Sequence, residues 1–501
     1  MGRGHRGSLT PQDLLLPEGK LIRTTRGGPT ALKQLLLDLK KYSFSGYVRT
    51  VRSGAGKRAE GIVLLRGGNP EASLYHRDGT QDRGRSALKK VWQDSYDESC
   101  VLELHARVDI NSPIDPATGE LLNDARIREH LTTIRELRGS KVVLLAHQSR
   151  PGKDDFTTLE VHADRIGALL GRPVRYVPSL FGRPAIDAID AMHLGDVIVL
   201  ENTRFYSEED ALADAKLEKM AKTHIVSRLA PHADYFVLDA FAAAHRAQPS
   251  LVGFCEVLPS LAGRVMEREL TMLTQAVQQP ERPKIALLGG VKADDSIAVA
   301  RHMLEKDLVD SVLTSGGVAN LFLDAAGIDP GKPTTDFMRR EVEDYEAHRA
   351  MCKELLGRFP GRIFRPTDVV LNDEGERRPV PVSALPAKWP VYDIGLDTIA
   401  HYVEEILRAK TIFFNGPAGV FELEPFSVGT RELLTAVAEA DGFSIVGGGH
   451  TVAAVEQLGL ADRIDHVSTG GGALINFLAG RELPLVTALK HSYKKFAKTK
   501  K

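Results

Sequence analysis

Cysteine is scarce: Cys100, Cys255 and Cys352 are the only three in 501 residues, far apart, with no Cys-x-x-Cys pair and no histidine at ligand spacing. This pattern fits a reducing compartment and argues against a thiolate metal site. Long apolar runs are missing as well. No stretch reaches the ~18 residues that a membrane helix needs, and the first residues lack a signal-type hydrophobic segment, so the expected location is the cytoplasm. Neither sign of charge is in excess, with 65 Lys and Arg against 66 Asp and Glu for a net charge of −1. That balance argues against a nucleic-acid or membrane-surface role for the chain as a whole. Internal repeats and long low-complexity segments are also lacking.

What is present is ordinary for a soluble globular protein, 43% apolar and 26% charged residues, in a length that suggests about three domains at ~150 residues each. The stretch that organises the rest is Phe443–Gly459, FSIVGGGHTVAAVEQLG. It reads as an apolar strand, three glycines, and an Ala/Val-rich helix starting at about His450. The glycines let the backbone turn tightly with its N–H groups outward, and the helix start adds the positive end of its dipole. Such a turn suits a phosphate, although the same glycines also serve close packing of helix on strand. Further Gly-rich turns follow apolar runs at Leu287–Gly290, Thr314–Gly317 and Asn415–Gly419, while the arginines lie mainly before residue 250. One half of the chain therefore suits a nucleotide and the other a second anionic substrate.

Residues 1–99 read as a separate basic module, with 18 Lys and Arg against 10 Asp and Glu. Met1–Gly28 is rich in Gly and Arg and reads as irregular. A helix is expected from Thr30 to Lys41, where Leu32, Leu35, Leu36 and Leu39 share one side. Three short antiparallel strands are expected at Gly46–Arg52, Gly61–Arg66 and Ala72–His76, separated by turns over Ser53–Ala59 and Gly67–Pro70. A second helix over Ser86–Asp94 and a strand over Cys100–Ala106 complete the pattern. The module resembles small modules of archaeal regulatory proteins, a size suited to sensing a ligand, docking a partner or capping the next domain. It has no aromatic stacking platform for RNA.

From Val101 onward short apolar runs alternate with helical periodicity, as at Val142–Ala146, Val197–Leu200 and Tyr235–Leu238. Buried runs separated by helices imply a parallel sheet with helices on both faces, and such sheets bind ligands beyond the C-terminal ends of their strands. The charges stand there: Arg107, Asp109 and Asn111 after one strand, His147 and Arg150 after the next, then Glu201 and Arg204, then Asp239, His245 and Arg246. A single loop arginine is commonly a surface ion pair. Four strand ends with the same habit point to an anion site.

The segments RVDINSP (107–113), ARIREHLTTI (125–134), LAHQSRPGKDDF (145–156), LENTRFYSEE (200–209) and DAFAAAHRAQPS (239–250) resemble the substrate lobe of the phosphoglycerate kinase family in its archaeal form. LLGGVKADDSI (287–297), FNGPAGVFE (414–422), VGGGHTVAA (446–454) and HVSTGGGALINFLAG (466–480) resemble its nucleotide lobe. The resemblance implies an α/β fold of two Rossmann-like parallel-sheet lobes joined by a hinge, behind a small α+β N-terminal domain. The expected divisions are 1–99 for that domain, 100–270 for the substrate lobe, 271–283 for the hinge region, 284–475 for the nucleotide lobe, and 476–501 for a segment returning to the first lobe. A helix near Arg264–Gln279 is expected between the lobes.

The implied reaction is reversible phosphoryl transfer between ATP, as its Mg2+ complex, and the carboxylate of 3-phosphoglycerate, giving 1,3-bisphosphoglycerate and ADP in glycolysis or gluconeogenesis. The residue types suit it, because a carboxylate acceptor is already ionised at neutral pH and positioning plus charge neutralisation suffice. By the family match, Asp109, Asn111, Arg126, His147, Arg150, Arg204 and Arg246 hold 3-phosphoglycerate, with His147 open to a purely structural reading. Arg126, Lys292, Gly448 and Gly449 act at the transferring group, and hinge closure brings Arg126 and Lys292 to it. Lys292, Asn415, Gly416 and Gly448 to Thr451, with His450 between, face the ATP phosphates; Gly316 and Gly317 line the adenine pocket and Glu422 binds the ribose. The segment Gly327–Thr334, GIDPGKPT, has the wrong spacing for a P-loop and reads as a turn.

Three residues depart from the wider family pattern. Ser296 stands where a second lysine is usual and His450 where an aspartate associated with Mg2+ is usual, which leaves the metal contacts unassigned; Leu238 precedes Asp239 where Asn is common. Two other readings stay open at this point. One is a silent phosphoglycerate or nucleotide sensor whose output is the N-terminal module, and the other is a different ATP-dependent small-molecule kinase.

Overall fold

A computed structural model of the chain describes residues 46–54, 57–66, 69–77, 80–83 and 102–498, with side chains from 106 to 496. The helices expected over Thr30–Lys41 and Ser86–Asp94 lie outside the described residues. Strands β1 (Gly46–Gly54), β2 (Lys57–Arg66), β3 (Asn69–Arg77) and β4 (Thr80–Arg83) form an antiparallel meander in that order. The segment read as a turn over Ser53–Ala59 is mostly ladder, with Gly54 opposite Lys57 and Ala59 opposite Arg52. Polar residues hide such strand ends from an apolar pattern, yet backbone pairing continues until the connection is short. For the same reason β4 carries no apolar signature and was not expected.

Contacts divide the chain into two compact units. Among the described residues, the first holds those up to Ala240, Arg246–Glu267 and the stretch from Pro484; the second holds Phe241–His245 and Arg268–Leu483. The first unit is built on a parallel sheet of β5 (Leu102–Val108), β6 (Ser140–Leu145), β7 (Arg175–Val177), β8 (Val197–Leu200), β9 (Phe236–Asp239) and β10 (Ser260–Ala262), in the order β10-β9-β5-β6-β8-β7. All four residues of β8 and of β9 are buried, as expected of strands covered on both faces. Helix Ala125–Glu136 buries Ile127, His130, Leu131, Thr133 and Ile134, and Arg126, four and seven residues before His130 and Thr133, stands on the flank of that face. Helix Pro484–Lys498 completes this unit. Ser492 Oγ accepts the N–H of Ser260 at 3.0 Å and donates to Leu258 O at 3.0 Å, and Glu256 meets His491 at 2.6 Å and also Lys495.

The second unit repeats the architecture with β11 (Lys284–Leu288), β12 (Ser311–Thr314), β13 (Ile363–Phe364), β17 (Thr411–Asn415), β18 (Phe443–Gly447) and β19 (His466–Val467), ordered β13-β12-β11-β17-β18-β19. A smaller antiparallel sheet, β14 (Asp368–Asp373), β15 (Glu376–Pro381) and β16 (Val391–Ile394), stands beside it in the order β15-β14-β16. Ile285, Leu287, Ile412, Phe414 and Val446 alternate on one sheet face and pack with Tyr402 and Ile406 of helix Leu396–Arg408. The GIDPGKPT segment is only partly the expected turn, since Lys332 and Pro333 open a helix, Lys332–Glu341. Proline at the first helical turn loses no bond there, and Gly331 at φ 101° supplies the sharp entry. A helix Arg264–Gln278 carries the chain from the first unit into the second.

Candidate active site

In the first unit, strand ends and loops bring the expected anion ligands into one lattice. Asp109 follows β5, and the Arg126 guanidinium stands 3.6 Å from its carboxylate. Asn111 donates its N–H back to Asp109 at 3.3 Å, and its own side chain accepts the N–H of Ser149 at 2.9 Å. Asn202, beyond β8, accepts from the N–H groups of Gln148 and Arg204. Arg204 in turn donates to Ser149 O, while its buried Nε has no protein partner. Arg246 shares the electrostatic field of His147, Arg204 and Arg107; Arg150 is exposed on the adjoining loop.

Burial alone would raise the Asp109 carboxyl, but His147, Arg126 and Arg107 around it more than offset that and hold it well below the usual carboxylate range. Burial, with Arg107, Arg204 and Arg246, pushes His147 well below the ordinary 6.5 against the pull of Asp109. The site thus concentrates fixed positive charge at the mouth of a parallel sheet. Behind it lies a part that sequence reasoning missed: His130 Nε2 accepts the N–H of Asp109 at 3.2 Å, and its Nδ1 meets Asp239 at 3.0 Å. Asp239, read as a strand-end charge, is instead fully buried, accepting from Thr133 at 2.6 Å and from the N–H groups of Val265 and Met266 at the start of helix Arg264–Gln278. It caps that helix start.

In the second unit the expected nucleotide residues all line one cavity of about 710 Å3: Lys292, Gly316, Gly317, Asn415, Gly416, Glu422, Gly448, Gly449, His450 and Thr451. It opens at the C-terminal ends of β11 and β17, where the strand order reverses. Backbones approach closely there. A Cβ on Gly416, which has φ 88°, would lie 2.2 Å from Gly289 O, and one on Gly289 would lie 2.5 Å from Pro417 O. Gly448, at φ 89°, precedes helix Gly449–Leu458, so the helix start and its amides border the cavity. Asn415 Oδ1 is buried without a partner, a polar atom left for a ligand. Pro333, Phe337, Met338, Val369, Val391 and Ile394 form an apolar end suited to a base.

Two of these residues also make side-chain contacts within the protein. Thr451 is fully buried, and its hydroxyl accepts the N–H of Gly416 at 3.0 Å, so this side chain holds the turn after β17. His450 Nδ1 meets Glu422 at 2.7 Å, both side chains largely exposed, so the histidine is tied to the carboxylate expected at the ribose. Ser296 is buried at 2% exposure and offers no cation. Asp393 was not anticipated: it lines the cavity at 2% exposure and accepts the N–H groups of Gly429 and Ile394, each at 2.9 Å. Burial pushes its carboxyl up to about 7. Its only signal was the pair Gly419 and Gly429, where a Cβ would strike its carboxylate.

An arginine cluster at the strand ends of one unit and a glycine-lined cavity with an apolar end in another suit the chemistry of the phosphotransferases. A family model described as phosphoglycerate kinase matches residues 102–481, and the chain belongs to that family. A second model, described as an uncharacterized protein conserved in archaea, matches residues 14–110. The phosphoglycerate kinase of Thermoplasma volcanium is 50% identical over 396 residues, covering 78% of this chain and 96% of its own. That of Methanothermobacter thermautotrophicus is 52% identical over 388 residues, covering 77% and 93%. The crystal structure of the Pyrococcus horikoshii OT3 enzyme is 40% identical with a TM-score of 0.73, covering 79% of this chain and 97% of its own. The fold expectation of two parallel-sheet α/β lobes in an archaeal-type phosphoglycerate kinase with an added N-terminal domain is borne out. Among the described residues, no helix is long and apolar enough to cross a membrane.

Proposed function

We propose a residue-level reading of the phosphoglycerate kinase reaction in this chain. A carboxylate oxygen of 3-phosphoglycerate bonds to the γ-phosphorus of ATP as the bond from that phosphorus to the β–γ bridging oxygen breaks, and ADP leaves with the electron pair. No proton has to be removed, because the acceptor is ionised at neutral pH. The residues therefore position groups and neutralise charge. Arg204, Arg246 and Arg150, with Asn111, His147 and Asp109, hold 3-phosphoglycerate. Arg126 and Lys292 carry the charge of the transferring phosphoryl group, and the amides of Gly448 and Gly449 cradle it.

Asn415 and Gly416 lie beside the nucleotide phosphates, Gly316 and Gly317 beside the base, and Glu422, oriented by His450, at the ribose. Among the described residues no group of three or more His, Cys, Asp or Glu is placed to hold a metal. In this reading magnesium enters as part of the nucleotide substrate. Two ligands held by different units react only when they are brought together, so closure is a step of the reaction as we read it. We read the enzyme as cytoplasmic, and we assign the N-terminal segment to a ligand or protein partner of its own.

The observation that carries this reading is the pair of unsatisfied buried atoms, Arg204 Nε among arginines and Asn415 Oδ1 in the glycine-lined cavity. The test is ATP-dependent formation of 1,3-bisphosphoglycerate by the full chain, followed through a coupled dehydrogenase. Turnover that depends on both substrates is expected. A folded chain that binds ATP but does not turn over refutes the reading and favours a sensor.

A further inference from the structure

Two of the family-like segments end on residues that the substrate reading leaves without a task. Glu209 closes LENTRFYSEE and Ser250 closes DAFAAAHRAQPS. Both are buried, at 2% and 0% exposure, and both lead to Arg107, also at 0%. The Glu209 carboxylate accepts the Ser250 N–H at 2.9 Å and the Ser250 hydroxyl as well. Ser250 Oγ accepts Arg107 Nε at 3.2 Å. Arg107 Nη1 donates to the carbonyls of Val108 and Leu145, and Nη2 faces His147 Nδ1 at 3.1 Å. A guanidinium has donors only, so the ring nitrogen opposite it must present its lone pair.

We propose that the buried chain of Glu209, Ser250 and Arg107 is a positioning device that fixes His147 as the Nε2–H tautomer, giving the phosphoglycerate site one oriented neutral donor among its arginines. The inference rests on the proposed placement of His147 in that site. A proton on Nδ1 would set two N–H groups against each other at 3.1 Å, and in the imidazolium two cations as well. The groups that face the ring agree: burial, Arg107, Arg204 and Arg246 disfavour the imidazolium, and Asp109 alone favours it. Glu209 balances Arg107 from the far side, so the device brings its own counter-charge. A neutral donor also keeps substrate affinity independent of histidine titration near neutral pH.

The test begins with 15N NMR of the full chain labelled on histidine, from about pH 5.5 to about pH 8, with His147→Gln identifying the resonance. The Nε2–H pattern is expected throughout; an Nδ1–H pattern, or a titration within that window, overturns the proposal. A kinetic arm uses the geometry of amides, since Gln places its NH2 where Nε2 lies and Asn where Nδ1 lies. His147→Gln should keep the KM for 3-phosphoglycerate within ~3-fold and His147→Asn should raise it ~10-fold, the effect of one hydrogen bond to a charged group. Equal effects overturn the proposal. Ser250→Ala, which touches no substrate residue, should raise the same KM ~3-fold or more, leave the KM for ATP unchanged, and introduce a pH dependence absent from the parent; an unaltered KM and pH profile overturns it. The NMR measurement needs no turnover. A parent chain without phosphoglycerate kinase activity therefore counts against the proposed function, and the tautomer is still read.

Discussion

Replacing Arg126 by alanine separates catalysis from stability in a way that the geometry makes quantitative. Its side chain is 42% exposed, and its ion pair with Asp109 spans 3.6 Å. The arginine end is open to solvent, and Asp109, only 4% exposed, keeps Arg107 beside it when Arg126 is removed, so the loss should stay near the about 0–1 kcal/mol of an exposed pair and Tm should fall by less than ~4 °C for a unit of this size. In the proposed role at the transferring phosphoryl group, the same guanidinium would meet charge that develops only in the transition state. Losing one such preorganised donor costs about 3–4 kcal/mol, a drop of ~10²–10³-fold in kcat. Lysine restores the charge without the forked geometry, so Arg126→Lys should recover part of the loss. The coupled dehydrogenase assay gives kcat, calorimetric titration gives ATP affinity, and a thermal scan gives Tm. A kcat within ~2-fold of the parent, at equal Tm and ATP affinity, would refute the assignment of Arg126 to the transition state.

Two further substitutions probe the second unit. Gly416→Ala places a Cβ 2.2 Å from Gly289 O at φ 88°; with ~1–3 kcal/mol of backbone strain and a clash against backbone that cannot yield, ATP affinity should fall at least ~10-fold while 3-phosphoglycerate binding is kept. Unchanged ATP titration would contradict the cavity's assignment. Glu269→Ala removes a fully buried carboxylate that meets His466 at 2.7 Å, Ser468 at 2.9 Å, and both the N–H and hydroxyl of Thr469; the expected loss is ~3–5 kcal/mol, read from chemical denaturation. Burial would raise the Glu269 carboxyl, but the His466 and Thr469 bonds hold it below 4.5 in the folded chain. Its contribution is therefore present above that ordinary value and is lost as pH falls through the depressed folded one. The acid limb of the parent's stability curve should be steeper than that of Glu269→Gln; parallel curves would show that the carboxylate is not the group titrating.

The strand ends were legible because their chemistry is printed in short segments: an apolar run such as VIVL, then a charged or glycine-rich turn. The nucleotide cavity was legible for the same reason, since its lining comes from a few strand-end turns. What the sequence hides is burial of charge. Arg107, Glu209, Asp239, Glu269 and Asp393 are charged letters, and a charged letter reads as solvent until its partners, as far as 200 residues away along the chain, are known. His130 was invisible because one face of an amphipathic helix offers no hint that its ring spans two strand ends. The small sheet of β14, β15 and β16 was hidden by ERRPVP, a strand too polar and proline-rich to announce itself. At Thr451 and His450 the residues were identified but not their contacts, because which neighbour a hydroxyl or a ring meets depends on tertiary distances.

The first unit is interrupted by nearly all of the second, residues 268–483, before helix Pro484–Lys498 returns to it. The Ser260 N–H and its acceptor Ser492 are 232 residues apart. At ~5–20 residues per second that separation is roughly 10–50 s of translation, during which a strand edge beside β9 stands without its cover. The nascent chain thus builds its nucleotide half before its arginine half can be sealed. Synthesis order therefore leaves a long window in which that open edge depends on the cell to keep it from pairing elsewhere.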